Sequence, residues 1–245
     1  MPALLCRGEV RYSRAMKRPL PFASLLLLCA FPAAKAEDKF EPIFDGKSLS
    51  GWSCRPGNQS GNWKVEDGAI IGRGKGAESY LMFKDELGDF ELKFRYKLMS
   101  KEGNTGVEVR SRPVPGKPSR LHGYHADLGH VGIGDKVLGA WDFHENNRGD
   151  YLAKRGEVAT IGPDGKIAHV PIEGGFEPGD VKKGDWNQVH VVAKGNTMWF
   201  TIDGKMASKV IDNEPAKRLD SGFIGFQLHG GDKMVIAFKD ILVKR

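Results

Sequence analysis

The stretch from Asp89 to Met99, DFELKFRYKLM, constrains this chain more than any other. Phe90, Leu92, Phe94, Tyr96 and Leu98 alternate with Glu91, Lys93, Arg95 and Lys97. Strand side chains alternate between two faces, whereas a helix repeats about every 3.6 residues. A strict period of two therefore predicts a strand with one face in a core and one in water, the habit of antiparallel sheet. NTGVEVRSR alternates likewise, predicting Val107 and Val109 inward and Glu108, Arg110 and Arg112 outward. WNQVHVVAKG and NTMWFTIDGK predict a hairpin across Lys194 to Asn196, and Asp203-Gly204 a second tight turn. GFIGFQLHG and MVIAFKDILV supply two further strands, and EPAKRLDSG allows one short turn. Short strands punctuated by Gly, Asn, Asp and Pro predict an all-β fold, a sandwich or barrel. Arg112 to Gly184 is the least regular stretch, and long loops on a rigid sandwich are where sites gather.

The first 36 residues read differently. From Met16, Lys17 and Arg18 form a basic start, Leu20 to Phe31 an apolar run, and Ala34 to Ala36 a small-residue cleavage pattern. That is the pattern of a secretory signal peptide. Residues 1–36 are thus expected to be removed, with 1–15 preceding a better start at Met16, and 37–245 to form a single exported β-sandwich domain, periplasmic or extracellular. The apolar run is too short to span a membrane. Lipid anchoring through Cys29 is disfavoured, because Leu28 stands where a small residue is wanted.

Setting residues 1–36 aside removes six basic residues and one acid, leaving 31 basic and 30 acidic of the original 37 and 31. The apparent basicity belongs to the leader, so it gives no argument for nucleic acid as a partner. Of three cysteines, Cys6 and Cys29 lie in the leader. Cys54 alone remains, which excludes an internal disulfide and a zinc site built from several cysteines. The fold must rest on its apolar core.

Two groups of residues carry chemistry. In LHGYHADLGH, a strand places His125 and Asp127 on one face and Tyr124, Ala126 and Leu128 on the other. In GFIGFQLHG, Gln227 and His229 share the outward face. If these strands neighbour one another, Arg110, His125, Asp127, Gln227 and His229 gather on one sheet face, with donors, acceptors and proton carriers together. The bland alternative is a solvated sheet face. The second group is GAWDFHENNRGDYL, read as a loop bearing Trp141, Asp142, His144, Glu145, Asn146, Asn147 and Arg148. A Trp ring with carboxylates and amides suits a sugar; an ordinary polar loop is the alternative. His125 and Asp127, with His144, Glu145 or His229, also offer ligands for a divalent metal ion. The E-x-D-x-x-E run of sandwich glycosidases is absent, which argues against an ordinary two-carboxylate hydrolase.

FEPIFDGKSLSGW, NWKVEDGAIIG, LGDFELKFRYKL, GNTGVEVRS, GYHADLG, GDWNQVHVVAKGNTMWFTIDGK and GFIGFQLHGG, in that order and spacing, resemble the 3-keto-disaccharide hydrolase family from about Phe40 to Lys244. The resemblance implies a concanavalin-like jelly roll of two antiparallel sheets, with long loops on one face. It also implies cleavage of glycosides whose glucose unit carries a ketone at C3. That ketone acidifies the C2 proton, the C1 oxygen then leaves by β-elimination, and water adds back. By this resemblance Asn104 and Arg110, Tyr124 and Asp127, and Gln227 with His229 match family positions. Asp127 or Glu145 would be the base. Arg110, with His229 or a metal, would stabilise the enolate, and His125 or His144 would protonate the leaving oxygen. Asn104, Tyr124, Trp141, Arg148, Gln227 and His229 would hold the sugar. His125 stands where members often have Gln or Glu, and AWDFHENNR departs from the commoner loop pattern. A non-catalytic carbohydrate-binding module on the same fold is the alternative, and a laminin-like adhesion domain a third reading.

Overall fold

The computed structural model describes residues 39–101, 103–129, 137–145, 148, 151–231 and 233–245. The expected signal segment lies outside the described residues, as do Asn146 and Asn147. The chain is built from two sheets. Sheet A runs β11 (Ile167–Pro171), β10 (Glu157–Ile161), β14 (Lys205–Asp212), β13 (Thr197–Ile202), β12 (Asn187–Lys194), β6 (Phe90–Leu98), β16 (Val235–Lys244), β4 (Ala69–Arg73) and β3 (Trp63–Glu66), with β1 (Glu41–Pro42) also on β16. Sheet B runs β2 (Trp52–Arg55), β5 (Ser79–Phe83), β15 (Phe223–Leu228), β7 (Gly106–Pro113), β8 (Leu121–Asp127) and β9 (Trp141–His144). The described pairings are antiparallel except β10 with β14. Among the described residues no helix is long and apolar enough to cross a membrane.

The sheets meet through the apolar sets that the alternation predicts. Leu92, Phe94 and Tyr96 of β6 are buried on the inner face of sheet A, and Val107 and Val109 of β7 on that of sheet B. Phe226 of β15 bridges the two layers, stacked on Phe238 at 4.1 Å between centroids and edge-on to Phe94 at 5.1 Å. Truncating such a buried Phe to Ala typically costs about 3–5 kcal/mol. The expected hairpin is present across 195–196, and Asp203 and Gly204 both take positive φ, +47° and +82°, as a tight turn whose twist suits the strands requires.

Two expectations need correction. The stretch 112–184 is more regular than it reads, since it holds β8 to β11. And the alternation of β7 breaks after Val109. Val109 pairs with Tyr124 and Arg112 with His122, so Arg110 and Ser111 together oppose the single residue Gly123. This is a β-bulge, in which one strand carries an extra residue against its partner. Arg110 takes φ of +52°, and its side chain does not follow Glu108 to the outer face.

Candidate functional site

The outer face of sheet B carries the chemistry. On β7, β8 and β9, Glu108 lies opposite His125, which lies opposite Asp142, and His144 follows two residues later on the same face. Oε1 of Glu108 is 2.9 Å from Nδ1 of His125 and 3.1 Å from Nδ1 of His144. The two imidazoles stack with centroids 4.7 Å apart. Ser111 donates its hydroxyl to the other oxygen, Oε2, at 2.6 Å. Asp142 Oδ2 lies 3.4 Å from Nε2 of His144. Gly106 leaves room for the His125 ring, because any Cβ there would collide with its Nε2 and Cε1.

Glu108 is wholly buried and His125 nearly so, whereas His144 keeps about a fifth of its side chain exposed. Burial opposes ionisation of Glu108, but the His144 and His125 imidazoles outweigh it and hold the carboxyl at about 2. Burial likewise works against charge on His144, yet the Glu108 and Asp142 carboxylates push it up to about 11. Asp127, two residues beyond His125 on the same face, is raised to about 6 by burial, an effect moderated by His125 and by the Gly129 N–H that it accepts at 2.6 Å.

One oxygen and two imidazole nitrogens, all within 4.8 Å of one another, form a metal-ligand set. Ligands at about 2.1 Å from a common centre stand ~3.0 Å apart at right angles, which is the spacing of Oε1 from the two Nδ1 atoms. Two imidazoles and a carboxylate suit a first-row divalent ion such as Mn2+, Fe2+, Co2+ or Zn2+ better than Ca2+, which takes oxygen ligands. Without an ion the same atoms are satisfied as a carboxylate accepting from two imidazoles.

The remaining expected site residues divide. Gln227 faces the same side, buried on β15, and donates through Nε2 to Glu78 Oε1 at 3.1 Å. Its Oε1 is buried without a hydrogen-bond partner among the described residues. Asn104 and His229 are half-buried just before β7 and just after β15. Glu145 stands at the rim, ion-paired with Lys117 at 2.9 Å and Arg120 at 3.7 Å. It lines an opening with Glu78, Tyr80, Arg120, Leu121 and His144.

Four residues lie elsewhere. Arg110, displaced by the bulge, donates to the carbonyls of Gly88, Gly195 and Leu219 and pairs with Asp89 at 2.9 Å. Tyr124 points into the core and donates its hydroxyl to Asp212. Trp141 is no exposed platform: it is fully buried, edge-on to Phe200 at 5.4 Å. Arg148 is buried against Asp212 and Glu214, its guanidinium 4.8 Å from the Phe143 ring centroid. In β9, Trp141 and Phe143 alternate with Asp142 and His144, so the supposed loop opens as a strand whose aromatic half belongs to the core. Glu108 was legible as an outward residue but not as the centre of the cluster; its signal was cross-strand adjacency to His125.

The model of the 3-keto-alpha-glucoside-1,2-lyase-like domain matches residues 39–244. The chain belongs to this family. No curated protein matches it. Among solved structures it is similar to a candidate glycosyl hydrolase of Parabacteroides distasonis, at 18% identity and TM-score 0.56 over 84% of this chain and 93% of that one. It is also similar to the carbohydrate-binding module CBM66 of Bacillus subtilis, at 14% identity and TM-score 0.52 over 80% and 96%. A Bacillus subtilis protein with a galectin-like fold aligns at 11% identity and TM-score 0.52 over 84% and 98%. These likenesses show the fold, a two-sheet jelly roll.

Proposed function

We propose that this protein cleaves glycosides whose glucose unit has been oxidised to a ketone at C3. The observation that carries the reading is the Glu108–His125–His144 cluster on the outer face of a jelly roll of this family. These three residues would hold a divalent ion, and when bound it supplies a Lewis acid for charge developing on a substrate oxygen. Asp127 takes the C2 proton. A buried carboxyl near pKa 6 is a stronger base than an ordinary one and is still ionised at neutral pH. With both histidines engaged, protonated Asp127 returns its proton to the leaving C1 oxygen, and water adds back to the unsaturated sugar for net hydrolysis. Gln227, whose Oε1 lacks a partner, accepts from a sugar hydroxyl. Residues 1–36 direct export in this reading, and residues 37–245 act as one domain.

The test is incubation with a 3-keto-glucoside in D2O, following sugar release and C2 exchange. Release that a chelator stops and Mn2+ or Co2+ restores supports the reading, and Asp127→Asn should abolish C2 exchange. The likeness to CBM66 favours a second reading, a carbohydrate-binding module; tight binding with neither release nor exchange would establish that reading instead.

A further inference from the structure

We propose that Ser111 is a positioning residue for the Glu108 carboxylate, placed by the β-bulge so that Glu108 presents one oxygen, and only one, to a bound ion. This rests on the metal reading above. Three observations converge. Were β7 to keep its alternation through Arg110, position 111 would fall on the core side, like Val107 and Val109; the bulge returns it to the face of Glu108. There its hydroxyl lies 2.6 Å from Glu108 Oε2, closer than the Tyr124 carbonyl at 3.2 Å or the Val109 carbonyl at 3.5 Å. A hydroxyl has one proton, and the carboxylate is the stronger acceptor.

The third observation is Gly123. Any Cβ at this position would collide with the Cα, Cβ and Oγ of Ser111, so a residue without a side chain opposite the bulge is what lets the hydroxyl approach. The two carboxylate oxygens are thereby given different work. Oε1 faces both imidazoles and Oε2 faces Ser111. Both atoms belong to a fully buried group, so removing the hydroxyl leaves Oε2 with no donor and the carboxylate free to turn. Partners that hold a metal ligand in place typically change metal affinity by ~10–100-fold when removed.

The experiment compares wild type, Ser111→Ala and Ser111→Thr, all purified metal-free. Mn2+ affinity is read by the EPR signal of free ion and the Co2+ site by its visible spectrum. Far-UV circular dichroism and thermal melting of the metal-free proteins report folding. The expected result is a ~10–100-fold weaker Mn2+ affinity and an altered Co2+ spectrum for Ser111→Ala, with a metal-free protein that is folded by circular dichroism and melts somewhat below wild type, because a buried carboxylate oxygen has lost its donor. Ser111→Thr, which keeps the hydroxyl, recovers affinity and spectrum if it melts like wild type. Unchanged affinity and spectrum in a folded Ser111→Ala would overturn the role of Ser111 while leaving the metal site standing. Failure of the wild type to bind either ion would overturn both.

Discussion

Arg148 and Glu108 are both buried ions within one small protein, and the clusters around them differ in kind. Arg148 is pinned by both oxygens of Asp212, at 2.6 and 3.0 Å, and by Glu214 at 2.8 Å. Asp212 also accepts from the Tyr124 hydroxyl and the Glu214 amide. Burial works against the guanidinium charge, but Asp212 and Glu214 outweigh it and raise its pKa further, so Arg148 stays charged across water's ordinary pH range. Glu108 instead faces imidazoles, which can exchange a proton for a metal ion. A buried charge network closed by a group that never deprotonates holds the fold together. One closed by groups that can give up their protons is available for chemistry.

The difference can be broken experimentally, and the largest effect should come from the closed cluster. Arg148→Met leaves Asp212 and Glu214 without their guanidinium partner and should destabilise by about 3–5 kcal/mol in urea unfolding, with the Mn2+ affinity of the folded fraction unchanged. A loss of metal binding of comparable size would show that the two clusters are coupled. Next comes Glu108→Gln, which should cost more than ~100-fold in Mn2+ affinity, roughly 2.7 kcal/mol or more, and should also lower the urea midpoint of the metal-free protein, because the His144 imidazolium loses the carboxylate that holds its charge.

A smaller effect concerns pH in the presence of chelator. His144 is raised to about 11, so its contribution to stability is complete below its unfolded pKa of about 6.5 and is lost as pH rises toward 11. Glu108 is lowered to about 2, so its contribution is complete above its unfolded pKa of about 4.3 and is lost as pH falls toward 2. Asp127, raised to about 6, works the other way and costs stability as pH rises from about 3.9 to 6, so urea midpoints should peak near pH 4.5 and decline on both sides. Mn2+ should offset the alkaline decline, because the ion binds the deprotonated ring. A flat profile would contradict the assigned proton positions. The smallest effect is expected from Glu145→Gln at the rim: its partners Lys117 and Arg120 are mostly exposed, so the urea midpoint should be indistinguishable from that of wild type.

Much of the fold was legible because a period of two reports faces directly. Phe90 to Leu98 lie where the pattern put them, and His125, Asp127 and Gln227 share the outer face of sheet B. What failed did so for local reasons. Arg110 was extrapolated through a bulge, and nothing in the letters of VEVRSR announces a positive φ at an arginine. Trp141 and Arg148 were assigned to the surface because they stand in a charged run, but the core claimed the aromatic ring and two acids claimed the guanidinium. Those acids, Asp212 and Glu214, lie more than sixty residues away in sequence, beyond the reach of any local pattern. Ser111 was invisible for the same reason as Arg110: its direction depends on a single-residue slip against Gly123.

The last strand in chain order, β16, sits between β6 and β4 in the middle of sheet A and also carries β1. A ribosome that has made everything up to residue 234 has made two separated blocks of that sheet with nothing to join them. Such long-range closure is slow compared with the formation of neighbouring hairpins. Assembly of this sheet must therefore wait until β16 has been made, and a product clipped before Val235 should be recognised by proteases as an unfinished chain.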